Sequence, residues 1–227
     1  MESKVLKRTS TKEFAAFNGF ERAVLEGRIS SLGYGLIAIP AMQTFSLEKD
    51  AVADRIKVLL ESFAFPPAHV VFYSASLNPF INQLIAHGIY VVEVEKSYLE
   101  TCFDALRAGL KNRVLLNPST QERIRYYEKG LVCLYPLMSK SPVDKNGSIR
   151  IEKLVVDLLV SPRYSLLFSG SDIAQAICLL TSNYALNYHT LFAYASRKRK
   201  AQEVYSALES IVEDPIKEVL HVIQEKL

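Results

Sequence analysis

Short apolar runs alternate with helical patterns through the middle of the chain. The runs are rich in β-branched and aromatic residues, which is typical of strands. They occupy residues 69–73, 89–94, 113–116 and 131–135. Apolar positions at helical spacing predict helices at 76–88 and about 97–110, and the capping box from Ser119 to Glu122 predicts another. Strands that alternate with helices indicate an α/β layer with a small mixed sheet.

A smaller unit is predicted ahead of this layer. Apolar positions recur at helical spacing from Phe20 to Leu32, and short apolar runs at 36–39 and 42–47 flank Pro40. A helix followed by such a ribbon is how a winged helix ends. A complete winged helix needs about forty residues ahead of its recognition helix. Residues 1–19 are too few for this, so the predicted unit is partial.

The last third of the chain is predicted to be helical. A turn-rich stretch at 139–148 precedes it, which suggests three divisions of the chain. These are a partial winged-helix-like unit at 1–47, an α/β core at 48–138, and a helical region at 149–227 packed on the core. The predicted fold class is therefore α/β (α+β), with a small mixed sheet, flanking helices and a helical C-terminal third.

The helix predicted at 150–160 has one strongly apolar face. Lys153 and Asp157 lie four residues apart on its other face, where an exposed ion pair contributes only a few tenths of a kcal/mol. One interpretation is a core helix with a solvated back. The other is that Glu152 and Asp157 face a partner protein.

Charge is concentrated near the C-terminus. Arg197, Lys198, Arg199 and Lys200 are consecutive, whereas residues 201–227 contain two Lys and six acidic residues. If the preceding helix continues, the four cations fan around it at ~100° per residue. They either contact the phosphates of a nucleic acid or form a solvated helix end.

The overall composition is that of a globular protein. Of 227 residues, 49% are hydrophobic, and the net charge of +3 is too small to indicate a nucleic-acid binder by itself. Three cysteines in apolar runs indicate buried thiols in a reducing compartment. No run of about 20 apolar residues is present, which predicts a cytoplasmic protein without a membrane partner.

Two segments resemble catalytic motifs, and both fail on spacing. Glu93-Val-Glu-Lys96 lacks the preceding Asp and the Glu-x-Lys spacing of metal-dependent nucleases. Ser169 to Asp172 lacks the downstream carboxylate pair of nucleotidyltransferases and is explained as a helix N-cap. No His or Cys residues have metal-ligand spacing, and we predict no cofactor, metal or catalytic residue.

Four segments within residues 68–208 occur in a characteristic order. They include Val94-Glu-Lys96, Leu115-Leu-Asn-Pro118, Tyr135-Pro-Leu137 with Ile151-Glu-Lys-Leu-Val-Val-Asp-Leu158, and Thr190-Leu-Phe-Ala-Tyr-Ala195. Together they resemble AbiEi-like proteins, the antitoxin and regulator component of bacterial abortive-infection systems. The resemblance implies an N-terminal winged helix that binds DNA, with Arg22 and Arg28 contacting phosphates. It also implies a partner, a nucleotidyltransferase-like toxin.

We therefore predict a non-enzymatic antitoxin or transcriptional regulator that acts through nucleic-acid or protein contact. The nucleic acid is either DNA or RNA, and an amphipathic segment at 214–223 would also suit a homodimer. Two alternatives stay open. One is a degenerate nuclease-like or nucleotidyltransferase-like enzyme that uses the sheet edge around Glu93 and Glu95, and the other is a plain protein-interaction subunit.

Overall fold

The chain divides into two compact units. The computed structural model describes residues 4–6, 30–33, 36–39, 45–144 and 146–212, with positions 216, 217, 220, 221 and 224. One unit is Leu47–Ile173, and the other combines Met1–Ser46 with Ala174–Leu227. This division differs from the predicted one, because residues 149–173 of the predicted helical region belong with the α/β core.

A four-stranded mixed sheet forms the centre of the unit Leu47–Ile173, which confirms the predicted α/β class. Its strands are β4 His69–Tyr73, β5 Tyr90–Val94, β6 Val114–Leu116 and β7 Val132–Pro136. The spatial order is β4-β5-β7-β6. β4 is antiparallel to β5, whereas β5 and β6 both run parallel to β7. The carboxyl ends of three strands therefore meet at one edge.

Helices cover one face of this sheet with an apolar core. The helices are α1 Ala51–Glu61 and α2 Leu99–Gly109. Because side chains alternate along a strand, Val92 and Val94 point to this face while Glu93 points to the other. Ile56 of α1 and Leu106 of α2 are fully buried against the same cluster. Burial of such side chains contributes roughly 1.5–3 kcal/mol each.

Three helices of the same unit lie towards the opposite face or its rim. They are α3 Thr120–Arg125, α4 Ile151–Val160 and α5 Pro162–Ser165. Tyr164 of α5 packs on Phe72 of β4, with ring centroids 5.2 Å apart. The predicted capping box is present at α3, where Ser119 and Glu122 satisfy each other's backbone amides. α4 thus belongs to the unit of the sheet.

Described residues of the turn-rich stretch at 139–148 pair with the sheet. Val71 of β4 donates its amide to the Gly147 carbonyl at 3.0 Å, so the segment covers the outer edge of β4. Gly147 has a φ of +68°, and a Cβ here would lie 2.2 Å from Nε2 of His69. Glycine is required at this position both for its backbone conformation and for the close approach.

The second unit contains a three-stranded antiparallel sheet. Its strands are β1 Lys4–Leu6, β2 Ser30–Gly33 and β3 Leu36–Ile39, in the order β1-β3-β2. β3 is antiparallel to both of its neighbours. The predicted ribbon strand at 36–39 is confirmed, whereas residues 30–33 form a strand and not the end of a helix. Residues 7–29, including Arg22 and Arg28, lie outside the described residues.

Helices from the C-terminal part of the chain complete this unit. They are α6 Gly170–Asn183, which begins in the other unit, α7 Tyr188–Arg197 and α8 Ala201–Ile211. α7 contacts both α8 and β2. The predicted N-cap of α6 is present, since Ser169 and Asp172 bond reciprocally and hold the pKa of the Asp172 carboxyl below its usual range. No described helix has the length and apolar character needed to cross a membrane.

Candidate functional site

The four consecutive cations lie on a turn between two helices. α7 ends at Arg197, and Arg199 takes a left-handed conformation with a φ of 58°. The amide of Lys200 donates to the Ala195 carbonyl at 2.9 Å, and that of Arg199 donates to the Ser196 carbonyl at 2.9 Å. These two bonds define a Schellman motif, which ends a helix and satisfies its last carbonyls.

This geometry changes the expected distribution of the cations. The helix does not continue through them, so they do not fan around a cylinder. We call residues 197–200 the basic turn. These backbone bonds fix the path of the chain through the basic turn. The four side chains therefore project from a short, defined segment and not from a fraying helix end.

The four side chains of the basic turn differ in their contacts. Arg197 and Arg199 are exposed and have no acidic partner among the described residues. Lys200 is exposed but forms an ion pair with Glu203 of α8. Lys198 is half-buried, with Nζ 5.2 Å from the centroid of the Tyr194 ring. Arg197 and Arg199 are therefore the two cations most available to an external anion.

A buried charge cluster lies on the face of the mixed sheet that is opposite the apolar core, where α4 packs. Nζ of Lys153 is 2.7 Å from Oε2 of Glu93 and 2.5 Å from Oδ2 of Asp157. Lys153 and Asp157 are 0% exposed, and Glu93 is 3% exposed. Nζ also lies 5.1 Å from the ring centroid of Tyr164. We call Glu93, Lys153 and Asp157 the buried charge cluster.

The predicted exposed back of α4 is wrong. Glu152, 3% exposed, accepts bonds from Arg150 at 3.1 and 3.2 Å, and Asp157 bonds Lys153. Neither carboxylate is at a solvent-facing surface, so the proposed partner contacts through Glu152 and Asp157 do not agree with the structure. The reason is that α4 packs with both of its sides covered, and its charges are matched internally.

The position of Glu93 also differs from the one that the alternative enzyme hypothesis requires, which is an edge of the sheet. It lies in β5, an inner strand, opposite Val70 of β4 and Tyr135 of β7. Glu95, by contrast, is exposed and accepts a bond from Ser97 at 2.9 Å. Across the described ranges, no group of three or more His, Cys, Asp or Glu side chains is placed to hold a metal ion.

Two arginines that the sequence analysis did not single out lie near the carboxyl ends of the parallel strands. The guanidinium carbon of Arg163 is 4.3 Å from the ring centroid of Tyr135, and its Nη1 is 4.0 Å from Oε1 of Glu93. Arg123 is 2% exposed and donates from Nη1 to the carbonyls of Pro162 and Arg163 at 2.9 and 3.2 Å. We call Arg123, Tyr135 and Arg163 the carboxyl-edge cluster.

At this edge, burial and positive charge have opposite effects on the pKa values of two side chains. Burial raises the pKa of the Cys133 thiol to about 12, and the charge of Arg123 opposes the rise. Burial likewise raises the pKa of Tyr135, against the opposing charges of Arg123 and Arg163. Both groups are therefore neutral at physiological pH, and Tyr135 offers an uncharged aromatic surface to Arg163.

A sequence signal for the buried charges does exist. Glu93 interrupts the apolar run Val91-Val-Glu-Val94, and Lys153 lies in a helix that is apolar apart from Glu152, Lys153 and Asp157. Opposite charges in two largely apolar elements suggest a buried pair, because a charge without a partner is rarely buried. No comparable local signal identifies Arg123 or Arg163, since their positions depend on the packing of α3 and α5.

The fold defines the class of the protein. It is an α/β protein with a four-stranded mixed sheet. The chain belongs to a family of unknown function, DUF6577, whose model matches residues 20–214. No curated protein matches the sequence.

Proposed function

We propose that this protein is a non-catalytic nucleic-acid-binding regulator of the antitoxin type. The observation that carries the proposal is the basic turn, on which Arg197 and Arg199 are exposed and have no acidic partner among the described residues. Exposed guanidinium groups are well suited to phosphate oxygens, which they contact with two parallel hydrogen bonds. The turn supplies contacts to the nucleic-acid backbone, and these position the protein without reading sequence.

Two further features support this proposal. The basic turn follows α7, which contacts β2 of the three-stranded sheet, so the turn and the sheet that contains the predicted ribbon strand at 36–39 occur in one unit. The resemblance of residues 68–208 to AbiEi-like proteins favours the same class. It also favours a nucleotidyltransferase-like toxin as the protein partner and the cytoplasm as the location.

Salt-dependent binding tests the basic turn directly. Replacing both Arg197 and Arg199 with Gln removes two phosphate contacts, so affinity for a mixed-sequence DNA duplex falls. The slope of log K against log[salt] becomes shallower by roughly 1.8, since each contact contributes about 0.9 on B-DNA. Gel shifts over about 50–200 mM salt measure this slope, and a single-stranded RNA arm shows which nucleic acid is preferred.

A matched variant controls for net charge. Lys111 and Lys129 are both exposed, and neither has an acidic partner among the described residues. Replacing these two with Gln changes the net charge equally and should leave the slope within experimental error of the wild type. Equal slopes for all three proteins, or no binding to either nucleic acid, would exclude the basic turn as a nucleic-acid contact.

A further inference from the structure

The carboxyl-edge cluster has the features of a binding site for an anionic group. In open α/β sheets, ligands bind at the carboxyl ends of parallel strands. Here those ends belong to β5, β6 and β7, and Arg163 lies on Tyr135 of β7. This edge belongs to the unit Leu47–Ile173, whereas the basic turn belongs to the other unit. The two sites therefore consist of different residues in different units.

Arg163 is held at both its backbone and its side chain. Its carbonyl accepts a bond from the buried Arg123, and its guanidinium lies against the ring of Tyr135. Tyr135 is 1% exposed, and its hydroxyl donates to the Pro118 carbonyl at 3.3 Å. A guanidinium oriented in this way loses little conformational entropy when it binds a ligand.

The hydrogen-bond donors of Arg163 are available. Its side chain is 37% exposed and donates no hydrogen bond to a described residue. Glu93 is its nearest carboxylate, but the distance of 4.0 Å exceeds a hydrogen bond, and the other oxygen of Glu93 bonds Lys153. The guanidinium fork can therefore donate two hydrogen bonds to the oxygens of a ligand.

Positive charge is in excess at this edge. Arg123 is buried without a carboxylate within ion-pair distance among the described residues, and its Nε has no hydrogen-bond partner there. Among the same residues, Arg163 has a single carboxylate within 4.0 Å, Glu93, and Lys153 contacts that carboxylate more closely, at 2.7 Å. The charges of the two arginines are therefore incompletely balanced there, and a bound anion would balance them.

A residue with left-handed backbone lies next to this cluster. Asn117, directly after β6, is exposed and has a φ of 44°, and its amide donates to the Leu134 carbonyl at 2.7 Å. Its neighbour Pro118 accepts the Tyr135 hydroxyl. Left-handed backbone at a residue other than glycine is often retained at ligand sites. The exposed Asn117 therefore lies beside the ring that supports Arg163.

We propose that the carboxyl-edge cluster binds the phosphate group of a small ligand, with Arg163 as the main contact. Arg123 acts behind it by holding the Arg163 carbonyl and by adding positive potential. The phosphate is favoured because its oxygens match the guanidinium fork and its charge balances the excess cation.

Pyrophosphate is a suitable probe for this site. We expect the full-length wild-type protein to bind it saturably in isothermal titration calorimetry without divalent metal. Arg163→Gln should weaken binding about 10- to 100-fold, the loss expected for hydrogen bonds to a charged group. Arg163→Lys keeps the charge but loses the fork and should be intermediate. Melting temperatures of all variants verify that they are folded.

Arg150 provides a matched control. Its side chain is 38% exposed, almost as much as that of Arg163, but it is bonded to Glu152. Arg150→Gln should bind pyrophosphate like the wild type. Equal losses in the two Gln variants, or no saturable binding by the wild type, would overturn the proposal. A third outcome would also overturn it: the wild type binds a single-stranded oligonucleotide but not pyrophosphate, and Arg163→Gln loses the oligonucleotide. The phosphate bound at Arg163 would then belong to a nucleic acid and not to a small ligand.

Discussion

At the scale of single residues, Lys153 shows how burial changes the weight of an interaction. An exposed pair between residues four apart on a helix contributes a few tenths of a kcal/mol. Here Lys153 lies between Glu93 and Asp157 and is fully buried. Removing one partner of such a network leaves charges buried without compensation, which is far more costly than losing the pair itself.

The buried charge cluster therefore gives a stability prediction. Lys153→Met should lower the free energy of unfolding by about 3–5 kcal/mol, because two carboxylates lose their common cation. Urea denaturation measures this change. Combining Lys153→Met with Glu93→Gln and Asp157→Asn removes the charges together and should recover most of the loss. A cost under about 1 kcal/mol for Lys153→Met would instead fit an exposed pair.

At the scale of elements, the sequence predicted the start of a helix correctly where a side chain caps it by bonding its backbone amides. The N-caps at Ser119 and Ser169 are both present as predicted. The helix predicted at 76–88 is wrong, since only a short 3-10 stretch, Ser74–Phe80, is formed. Asn78 favours the observed loop, because its side chain accepts from the Ile85 amide at 2.9 Å and donates to the Ile85 carbonyl at 3.1 Å, in competition with helical backbone bonds.

The end of α7 allows a test of the basic turn as an element. Arg199 occupies the left-handed position of the Schellman motif, where an L residue with a Cβ is strained by roughly 1 kcal/mol. Arg199→Gly should therefore unfold with a free energy about 1 kcal/mol higher than Arg199→Ala. Both substitutions remove the same charge, so thermal or urea unfolding compares backbone strain alone. Equal stabilities would mean that the turn does not hold residue 199 in this conformation.

At the scale of the whole molecule, the sequence predicted the strands of the mixed sheet and the class of fold but not the compact units. Periodicity identifies each strand and most helices because it reports one buried face. It does not report which sheet a helix covers. The helical region at 149–227 is predicted to pack on the core, and α4 does so through the bond from its Lys153 to Glu93, but the compact units do not divide at the predicted boundary. The carboxyl-edge cluster is assembled from three distant elements, so periodicity along the chain does not predict it.

Hydrogen–deuterium exchange on the full chain, with and without a DNA duplex of about 20 base pairs, tests the proposed function most directly. We expect bound DNA to slow exchange at the backbone amides of the basic turn, residues 197–200, which directly precedes α8. The same experiment on the variant with Arg197→Gln and Arg199→Gln should show no slowing there. A complex in which the wild type and the variant show identical protection, with the basic turn unaffected in both, would contradict the proposal.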